Sequence, residues 1–214
     1  MSNLLEIGRS LYRVPELAPH QQQAYQHFSQ TIWREGVLSS REKETIAVAV
    51  AHSTKCHYCI DHHTKKAKRA GATLKELAEA IMVTAAIEGQ GCITHAVNAL
   101  AAYEETGEKS IYQYSNLDKL EEVRKIVSPQ YEAANNFFAA AFQSGELTSK
   151  LKTIIAVAVA HTTESPYLIQ QFTESAKKEG ASKEEILESI FIASLMRAGG
   201  TITYISDLIN AYEN

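Results

Sequence analysis

The chain has little cysteine and no long hydrophobic run. Three cysteines in 214 residues are too few, and odd in number, for the disulfide framework of a small secreted protein. The uninterrupted apolar stretches, such as Ile46–Ala51, are far shorter than the roughly 20 residues that cross a bilayer. The N-terminus lacks the basic start and apolar stretch of a signal peptide. These absences predict a cytoplasmic protein without a membrane partner.

An excess of basic residues is lacking as well. The chain has 21 Lys and Arg against 25 Asp and Glu, which gives a net charge of -4. Proteins that bind nucleic acid or anionic lipid usually carry a basic patch, so we expect neither partner. The hydrophobic share of 45% is ordinary for a globular protein. A chain of this length can form a hydrophobic core large enough to fold without disulfides or metal ions.

The chain contains two copies of one segment. Residues 38–52 read LSSREKETIAVAVAH and residues 147–161 read LTSKLKTIIAVAVAH, with the two copies 109 positions apart. The same offset relates further identical residues, namely Tyr58 and Tyr167, Gly71 and Gly180, and Gly91 and Gly200. Agreement of this extent without a gap predicts a tandem duplication of one structural unit.

Apolar periodicity and capping signals predict helices only. Capping boxes of the form Ser/Thr-x-x-Glu begin at Ser39, Thr73 and Ser182. The predicted helices of the first unit cover residues 20–35, 40–54, 57–70, 73–88 and 91–105. The fold class is therefore all-α, with two tandem helical units packed as one compact protein. We predict the units at residues 1–106 and 118–214, with a linker at 106–117.

One cluster of reactive residues lies in the first unit, with the pattern Glu44-x11-Cys56-His57-Tyr58-Cys59-x3-His63. Two thiols three positions apart can close a disulfide, and His63 follows Cys59 on the same helical face. Cys56 begins a predicted helix, where backbone N–H groups favour a thiolate. A thiol activated by His63, with Glu44 orienting that base, can attack a peroxide and leave a sulfenic acid. The second thiol then closes the disulfide, which an external dithiol must reduce.

The second copy provides an internal control for this cluster. Its counterparts of Glu44, Cys56, Cys59 and His63 are Thr153, Ser165, Leu168 and Phe172. Residues that the fold requires should persist in both copies, whereas residues lost from one copy more often serve chemistry. His52, which is matched by His161, is therefore interpreted as structural. His57 and His62 are also absent from the second copy. They could line the site or lie on the solvated surface.

Glu, Cys, Cys and His at this spacing on a helical scaffold resemble the AhpD-like alkylhydroperoxidases of the carboxymuconolactone decarboxylase superfamily. The resemblance implies a thiol-dependent peroxidase in which Cys59 attacks the hydroperoxide. It implies that Cys56 is the more exposed partner, which resolves the sulfenic acid and meets the reductant, and that Glu44 and His63 relay protons. One departure is Tyr58, which stands where the family has a second His directly before the second Cys.

The same resemblance implies partners. It implies a dithiol reductant such as a lipoyl or thioredoxin-like protein, and a homo-oligomer, either a trimer or a hexamer. Because each chain carries two units, a trimer would correspond to a hexamer of single units. The decarboxylase branch of the superfamily shares the fold but does not use a Cys pair, so the pair argues against ring-lactone decarboxylation.

Two other interpretations remain open at the level of sequence. Cys56, Cys59, Cys92 and His95 together offer four ligands of a type that zinc accepts. However, the first pair opens a helix and apolar burial looks sufficient, so we predict no metal and no cofactor, with Cys92 a packed thiol near the site. The chain could also be a non-enzymatic redox switch or assembly module that uses the Cys pair as its sensor.

Overall fold

The computed structural model describes residues 4–103 and 114–213, and every regular element in those ranges is a helix. The all-α prediction is therefore confirmed. The elements are α1 (Leu4–Leu11), α2 (Val14–Leu17), α3 (Pro19–Ile32), α4 (Ser40–Ser53), α5 (His57–Arg69), α6 (Leu74–Tyr103), a 3-10 helix (Tyr114–Lys119), α7 (Leu120–Ile126), α8 (Ser128–Ala141), α9 (Ser149–Thr162), α10 (Pro166–Lys178), α11 (Lys183–Thr203) and α12 (Ile205–Glu213).

The duplication is visible in the backbone. Helices α3, α4 and α5 correspond to α8, α9 and α10, and each pair is offset by 109 residues. Gly71 and Gly180 follow equivalent helices with φ values of 91° and 82°, a conformation that glycine adopts without strain. The two tandem helical units are therefore confirmed. Their limits, 1–106 and 118–214, stay predictions because residues 106–113 of the predicted linker lie outside the described residues.

Helices α4 and α9 form the centre of the molecule. All residues from Lys43 to Ala51 are buried, and so are all residues from Leu151 to Ala160. Both α6 and α11 pack against this central pair. The outer helices cross between units, since α3 packs on α11 and α8 packs on α6. The two units consequently share one core.

Helix α6 corrects one prediction, because the expected break between residues 88 and 91 does not occur. The helix runs unbroken from Leu74 to Tyr103. A Cβ atom on Gly89 would lie 3.1 Å from the ring of Phe138, and one on Gly91 would lie 3.6 Å from Leu168. Glycine inside a helix costs about 1 kcal/mol relative to alanine. Here the glycines allow α6 to approach the second unit closely, which offsets that cost.

Two buried lysines join the units. Lys43 Nζ lies 2.7 Å from Glu188, and the equivalent Lys152 Nζ lies 2.9 Å from Glu79. The lysine side chains are 3% and 4% exposed, and each donates to a backbone carbonyl as well. Each carboxylate also accepts a backbone N–H from the opposite unit. Both ion pairs therefore cross the interface between the repeats.

One stretch of the described chain, Lys183–Glu213, is long and apolar enough to cross a membrane by length and composition alone. It comprises α11 and α12, and 44% of its most apolar window is buried inside the protein. Core helices of soluble proteins have the same character, and these helices pack in a soluble-type helical fold. The cytoplasmic location stays a prediction.

Candidate functional site

The two cysteines lie at the start of α5. Cys56 is the N-cap residue, and its Sγ accepts the backbone N–H of Cys59 at 3.2 Å. The Cα atoms are 5.2 Å apart, within the usual range for a disulfide, and the two sulfurs are bonded to each other. The structure thus shows the Cys56–Cys59 pair in its oxidised form.

Glu44 on α4 and His63 on α5 form a buried pair. Glu44 Oε2 lies 2.7 Å from His63 Nδ1, and the two side chains are only 8% and 11% exposed. Since an ionised carboxylate can only accept, we assign the shared hydrogen to Nδ1, which leaves the lone pair on Nε2. His63 lies one turn after Cys59, so a base is positioned on the face of α5 that carries a sulfur.

Trp33 and Lys66 extend this pair and were missed in the sequence. The Trp33 ring stacks on His63 with 5.3 Å between centroids. Lys66 Nζ lies 3.3 Å from Glu44 Oε1 and 4.8 Å from the centre of the Trp33 ring. The carboxylate is therefore held between an imidazole and an ammonium group. Comparison of the two copies could have identified both residues, because the second unit has Phe142 and Ser175 instead.

A cavity of about 290 Å³ borders this cluster. Cys59, His62, His63 and Lys66 line it from α5, together with residues of α3 and its C-cap residue Trp33. The opposite wall consists of α11 residues of the second unit, namely Leu195, Met196, Gly199, Ile202 and Thr203. The degenerate unit thus completes the cavity that the first unit's reactive residues enter.

Cys56 is not the more exposed thiol, which corrects the expectation from the family resemblance. It is 3% exposed, against 6% for Cys59. The Cys56 Sγ lies 3.5 Å from Thr203 Oγ1. A Cβ atom added to Gly200 would lie 3.7 Å from the Cβ of Cys56. Helix α11 of the second unit therefore covers it. A pocket of about 100 Å³ borders Cys56 and is lined by Ile7, His57, Tyr58, Thr203, Tyr204 and Asp207.

Of the two histidines that the sequence left open, His62 lines the cavity, whereas His57 borders the small pocket beside Cys56. The His62 ring stacks on Tyr58 and meets His63 edge-on, with 6.1 Å and 5.0 Å between centroids. Burial, together with the nearby His63 and Lys66, lowers the pKa of His62 below its ordinary value. The ring is therefore neutral near pH 7 and offers one donor and one acceptor to the cavity.

The conserved pair of histidines occupies equivalent places in the two copies. His52 Nδ1 lies 2.7 Å from the carbonyl oxygen of Val48, and His161 Nδ1 lies 2.8 Å from that of Val157. Each ring makes the same local contact one turn back along its helix. This equivalence supports the structural interpretation of His52.

The four zinc ligands considered from the sequence are not brought together. His95 Nε2 lies 3.3 Å from Ser165 Oγ, at the second unit's counterpart of Cys56. Cys92 is exposed, so the expected packed thiol near the site is wrong; its neighbour Gly91 takes the inward position on α6. Within residues 4–103 and 114–213, no group of three or more His, Cys, Asp or Glu could hold a metal ion.

The corresponding place in the second unit keeps the geometry and loses the ionisable groups. Phe142 stacks on Phe172 with 5.2 Å between centroids, much as Trp33 stacks on His63. Leu168 takes the place of Cys59 and is completely buried. The same scaffold thus holds an apolar cluster here, which a redox reaction cannot use.

Known proteins resemble this chain in one or both repeats. An uncharacterized protein in the cox locus of Paracoccus denitrificans is 43% identical over 82 residues, which are 38% of this chain and 74% of that protein. An uncharacterized protein of Cupriavidus necator is 31% identical over 103 residues, which are 48% of this chain and 91% of that protein. Both matched stretches are about the length of a single repeat.

A solved structure from Burkholderia xenovorans, studied as a candidate gamma-carboxymuconolactone decarboxylase subunit, matches the whole fold. Its TM-score is 0.71 at 19% identity, over 99% of this chain and 97% of that one, a likeness that shows the fold alone. The sequence profile of the Carboxymuconolactone decarboxylase family matches residues 19–102 and 130–210, once in each repeat. Since these two matches cover most of the sequence, the chain belongs to the carboxymuconolactone decarboxylase family.

Proposed function

We propose that this chain is a thiol-dependent peroxidase that reduces hydroperoxides through a disulfide cycle between Cys59 and Cys56. The supporting observation is the Cys56–Cys59 disulfide beside the buried Glu44–His63 pair, at a cavity, with all four residues lost together from the second unit. Ring-lactone decarboxylation breaks a C–C bond and needs no thiol pair. That reaction would leave the cluster without a role.

In the proposed cycle, His63 Nε2 takes the proton of the Cys59 thiol, and Glu44 stabilises the resulting imidazolium through Nδ1–H. The thiolate attacks the terminal peroxide oxygen, so that an S–O bond forms and the O–O bond breaks. The leaving alkoxide takes the proton from His63 and departs as an alcohol. The Cys56 thiol then attacks the sulfenic sulfur, which releases water and forms the disulfide.

A dithiol reductant must close the cycle by reducing this disulfide while it becomes a disulfide itself. A lipoyl or thioredoxin-like protein supplies such a dithiol. Both cysteines are nearly buried. A slender dihydrolipoyl arm can therefore reach the disulfide more easily than the surface of a folded thioredoxin can. Faster reduction by a small thioredoxin than by a lipoyl domain, compared at equal dithiol concentration, would contradict this choice.

We further propose a cytoplasmic homo-oligomer, with a trimer favoured over a hexamer because each chain already holds two units. Large apolar side chains such as Leu74 and Phe191 are 82% and 53% exposed on the isolated chain, as expected for surfaces that a partner subunit covers. Native mass spectrometry would show the subunit number, and a monomer at micromolar concentration would contradict the proposal. Neither nucleic acid nor a membrane is proposed as a partner.

The function is tested by intact mass and thiol counting on the reduced protein, before and after one equivalent of cumene hydroperoxide. Peroxidase chemistry predicts the loss of two free thiols and two hydrogen atoms, with one cumyl alcohol formed. Thiols that ignore the peroxide but exchange reversibly with dithiols would indicate a redox switch instead. Turnover of a carboxymuconolactone with both cysteines replaced by serine would indicate a decarboxylase.

Removal of either relay residue is expected to slow disulfide formation strongly. Glu44→Gln leaves His63 without its anionic partner, and His63→Gln removes the base itself. General-base catalysis typically contributes about 10²- to 10⁴-fold, so we expect losses in that range at pH 7, with the rate recovering toward alkaline pH as the thiol ionises unaided. Stopped-flow oxidation of the reduced protein across pH 5–10 measures this.

Asp61→Asn is the matched control for the relay variants. Asp61 is also on α5 and pairs with Lys65 at 2.7 Å, but its side chain is 38% exposed on the surface of the helix. We expect the Asp61→Asn rate to equal that of the parent protein. An unchanged rate and pH profile in Glu44→Gln would show that Glu44 has no part in proton transfer.

A further inference from the structure

We infer that an apolar groove beside the cavity, formed by α2, α3, α11 and α12, holds the tail of the substrate, so that the preferred hydroperoxides carry a long unbranched hydrocarbon chain. This inference rests on the proposed peroxidase function and specifies its substrate class. The groove has a volume of about 400 Å³, which lies within the range of roughly 300–1,000 Å³ for small-molecule sites.

The groove adjoins the cavity that Cys59 borders. Gln22, Tyr25 and Ile202 line both spaces. Tyr25 lies against Gly199, where a Cβ atom would come within 2.6 Å of its hydroxyl oxygen. A hydroperoxide group at Cys59 can thus be followed by a chain that passes the Tyr25 ring and enters the groove.

The lining of the groove suits a hydrocarbon. Its side chains are apolar or uncharged, with Val14, Ala18, Ile202, Ile205 and Leu208 as its aliphatic members. Two of its large side chains, Leu208 and Tyr204, are 65% and 57% exposed. Apolar side chains exposed together in this way often mark a ligand-binding groove. A chain of methylene groups that packs against these side chains is removed from water. Burial of each methylene group stabilises the complex, so the stabilisation grows with the length of the chain.

Smaller peroxides cannot use this surface. Hydrogen peroxide has no hydrocarbon tail. A branched or aromatic group is too wide to pass the Tyr25 ring and does not enter the groove. The charged groups of this region are instead in the cavity, where Lys66 stands beside Glu44. The polar end of an amphipathic hydroperoxide therefore belongs at Cys59 and its apolar end in the groove.

The test is a chain-length series under single-turnover conditions, which needs no reductant partner. The reduced full-length protein is mixed with hydrogen peroxide or with n-butyl, n-hexyl or n-decyl hydroperoxide. Trp33, the only tryptophan of the chain, stacks on His63 and reports oxidation by its fluorescence. We expect the second-order rate constant to rise by up to about fourfold per methylene, and by at least tenfold from butyl to decyl.

Leu208→Glu places a charge in the groove without touching the cavity. We expect it to reduce the n-decyl rate constant at least tenfold and to leave the hydrogen peroxide rate within twofold of the parent. Ile126→Glu is the matched control, since Ile126 is also 65% exposed but lies on α7 away from the groove. Gln21→Leu, which extends the apolar lining, should raise the n-decyl rate constant and provides a variant that keeps the fold.

Each outcome is decisive. Equal rate constants for butyl and decyl hydroperoxide, with both oxidising the thiols, would overturn the inference and leave the peroxidase proposal standing. Thiols that react with no hydroperoxide would overturn both. If Leu208→Glu changes the oligomer mass while the chain-length dependence persists, the groove is an interface between copies of this chain and the inference is wrong.

Discussion

Replacement of Cys59 by serine is expected to abolish hydroperoxide consumption, with a loss of about 10³-fold or more relative to the parent protein. The reason is that a serine hydroxyl does not ionise near neutral pH and cannot be oxidised to a sulfenic acid. Cys59 borders the cavity together with His63, so the variant removes the atom that we propose to attack the peroxide. Peroxide consumption and free thiols are measured with a dithiol in excess.

Cys56→Ser is expected to behave differently from Cys59→Ser. The Cys59 thiolate is still present, so one equivalent of hydroperoxide should be consumed and one oxygen atom added to the intact mass. Without a second thiol the sulfenic acid cannot close a disulfide, and excess peroxide should carry it to the sulfinic acid. This contrast assigns attack to Cys59 and resolution to Cys56.

Cys92→Ser is the matched control for both variants, because Cys92 is exposed and lies outside the disulfide. We expect it to keep the parent rate. Full activity of Cys59→Ser would show that the nucleophile has been wrongly assigned. If Cys56→Ser alone lost its single turnover and Cys59→Ser retained it, the two thiols would have exchanged roles.

The duplicated sequence is what made the reactive residues recognisable. A lone Cys-x-x-Cys pair is a weak signal, but the second copy keeps the alanine and valine positions of the central helix while it replaces Glu44, Cys56, Cys59 and His63. Helices and capping boxes could be predicted as well, because they depend on residues within one turn of each other. The boxes at Ser39 and Ser182 are both present.

Contacts between the units could not be predicted in the same way. Periodicity shows which face of a helix is buried but not which helix covers it. The covering of Cys56 by α11 of the second unit, and the continuous α6, both depend on how the repeats pack. For this reason the family resemblance led to the expectation of an exposed Cys56, and the contact of Tyr25 with Gly199 of the second unit was missed.

Lys43→Met is expected to cost about 3–5 kcal/mol of folding free energy, because it leaves the Glu188 carboxylate without its buried partner. Two backbone carbonyls, those of Ile32 and Arg34, also lose their donor. Such a loss is a large part of the roughly 5–15 kcal/mol that stabilises a typical domain. Urea unfolding followed by circular dichroism measures it, and a cost below about 1 kcal/mol would contradict the role assigned to this pair.

Lys150→Met is the matched control on the surface. Lys150 Nζ lies 2.8 Å from Glu185, but its side chain is 37% exposed, so we expect a cost of about 1 kcal/mol or less. The double variant Lys43→Met with Glu188→Leu should recover part of the lost stability, because an apolar pair leaves no buried charge unpaired. A double variant no more stable than Lys43→Met would show that the lost carbonyl contacts, rather than the carboxylate, dominate the cost.

The equivalent ion pair, between Glu79 of the first unit and Lys152 of the second, adds a dependence on pH. Burial alone raises the pKa of Glu79, but the backbone N–H groups of Leu147 and Glu146 and the ammonium of Lys152 outweigh it and lower the pKa below its ordinary value of 4.5. Because the folded-state pKa lies below the unfolded one, this carboxylate stabilises the protein above about pH 4.5 and ceases to do so as the pH falls through the folded-state pKa. Glu79→Gln should therefore lower the free energy of unfolding at pH 7 and reduce the decline of that free energy in acid.

The Glu79–Lys152 pair also crosses between the repeats. The loss of stability should therefore appear in one unfolding transition of the whole chain, and two separate transitions would show that the repeats unfold independently.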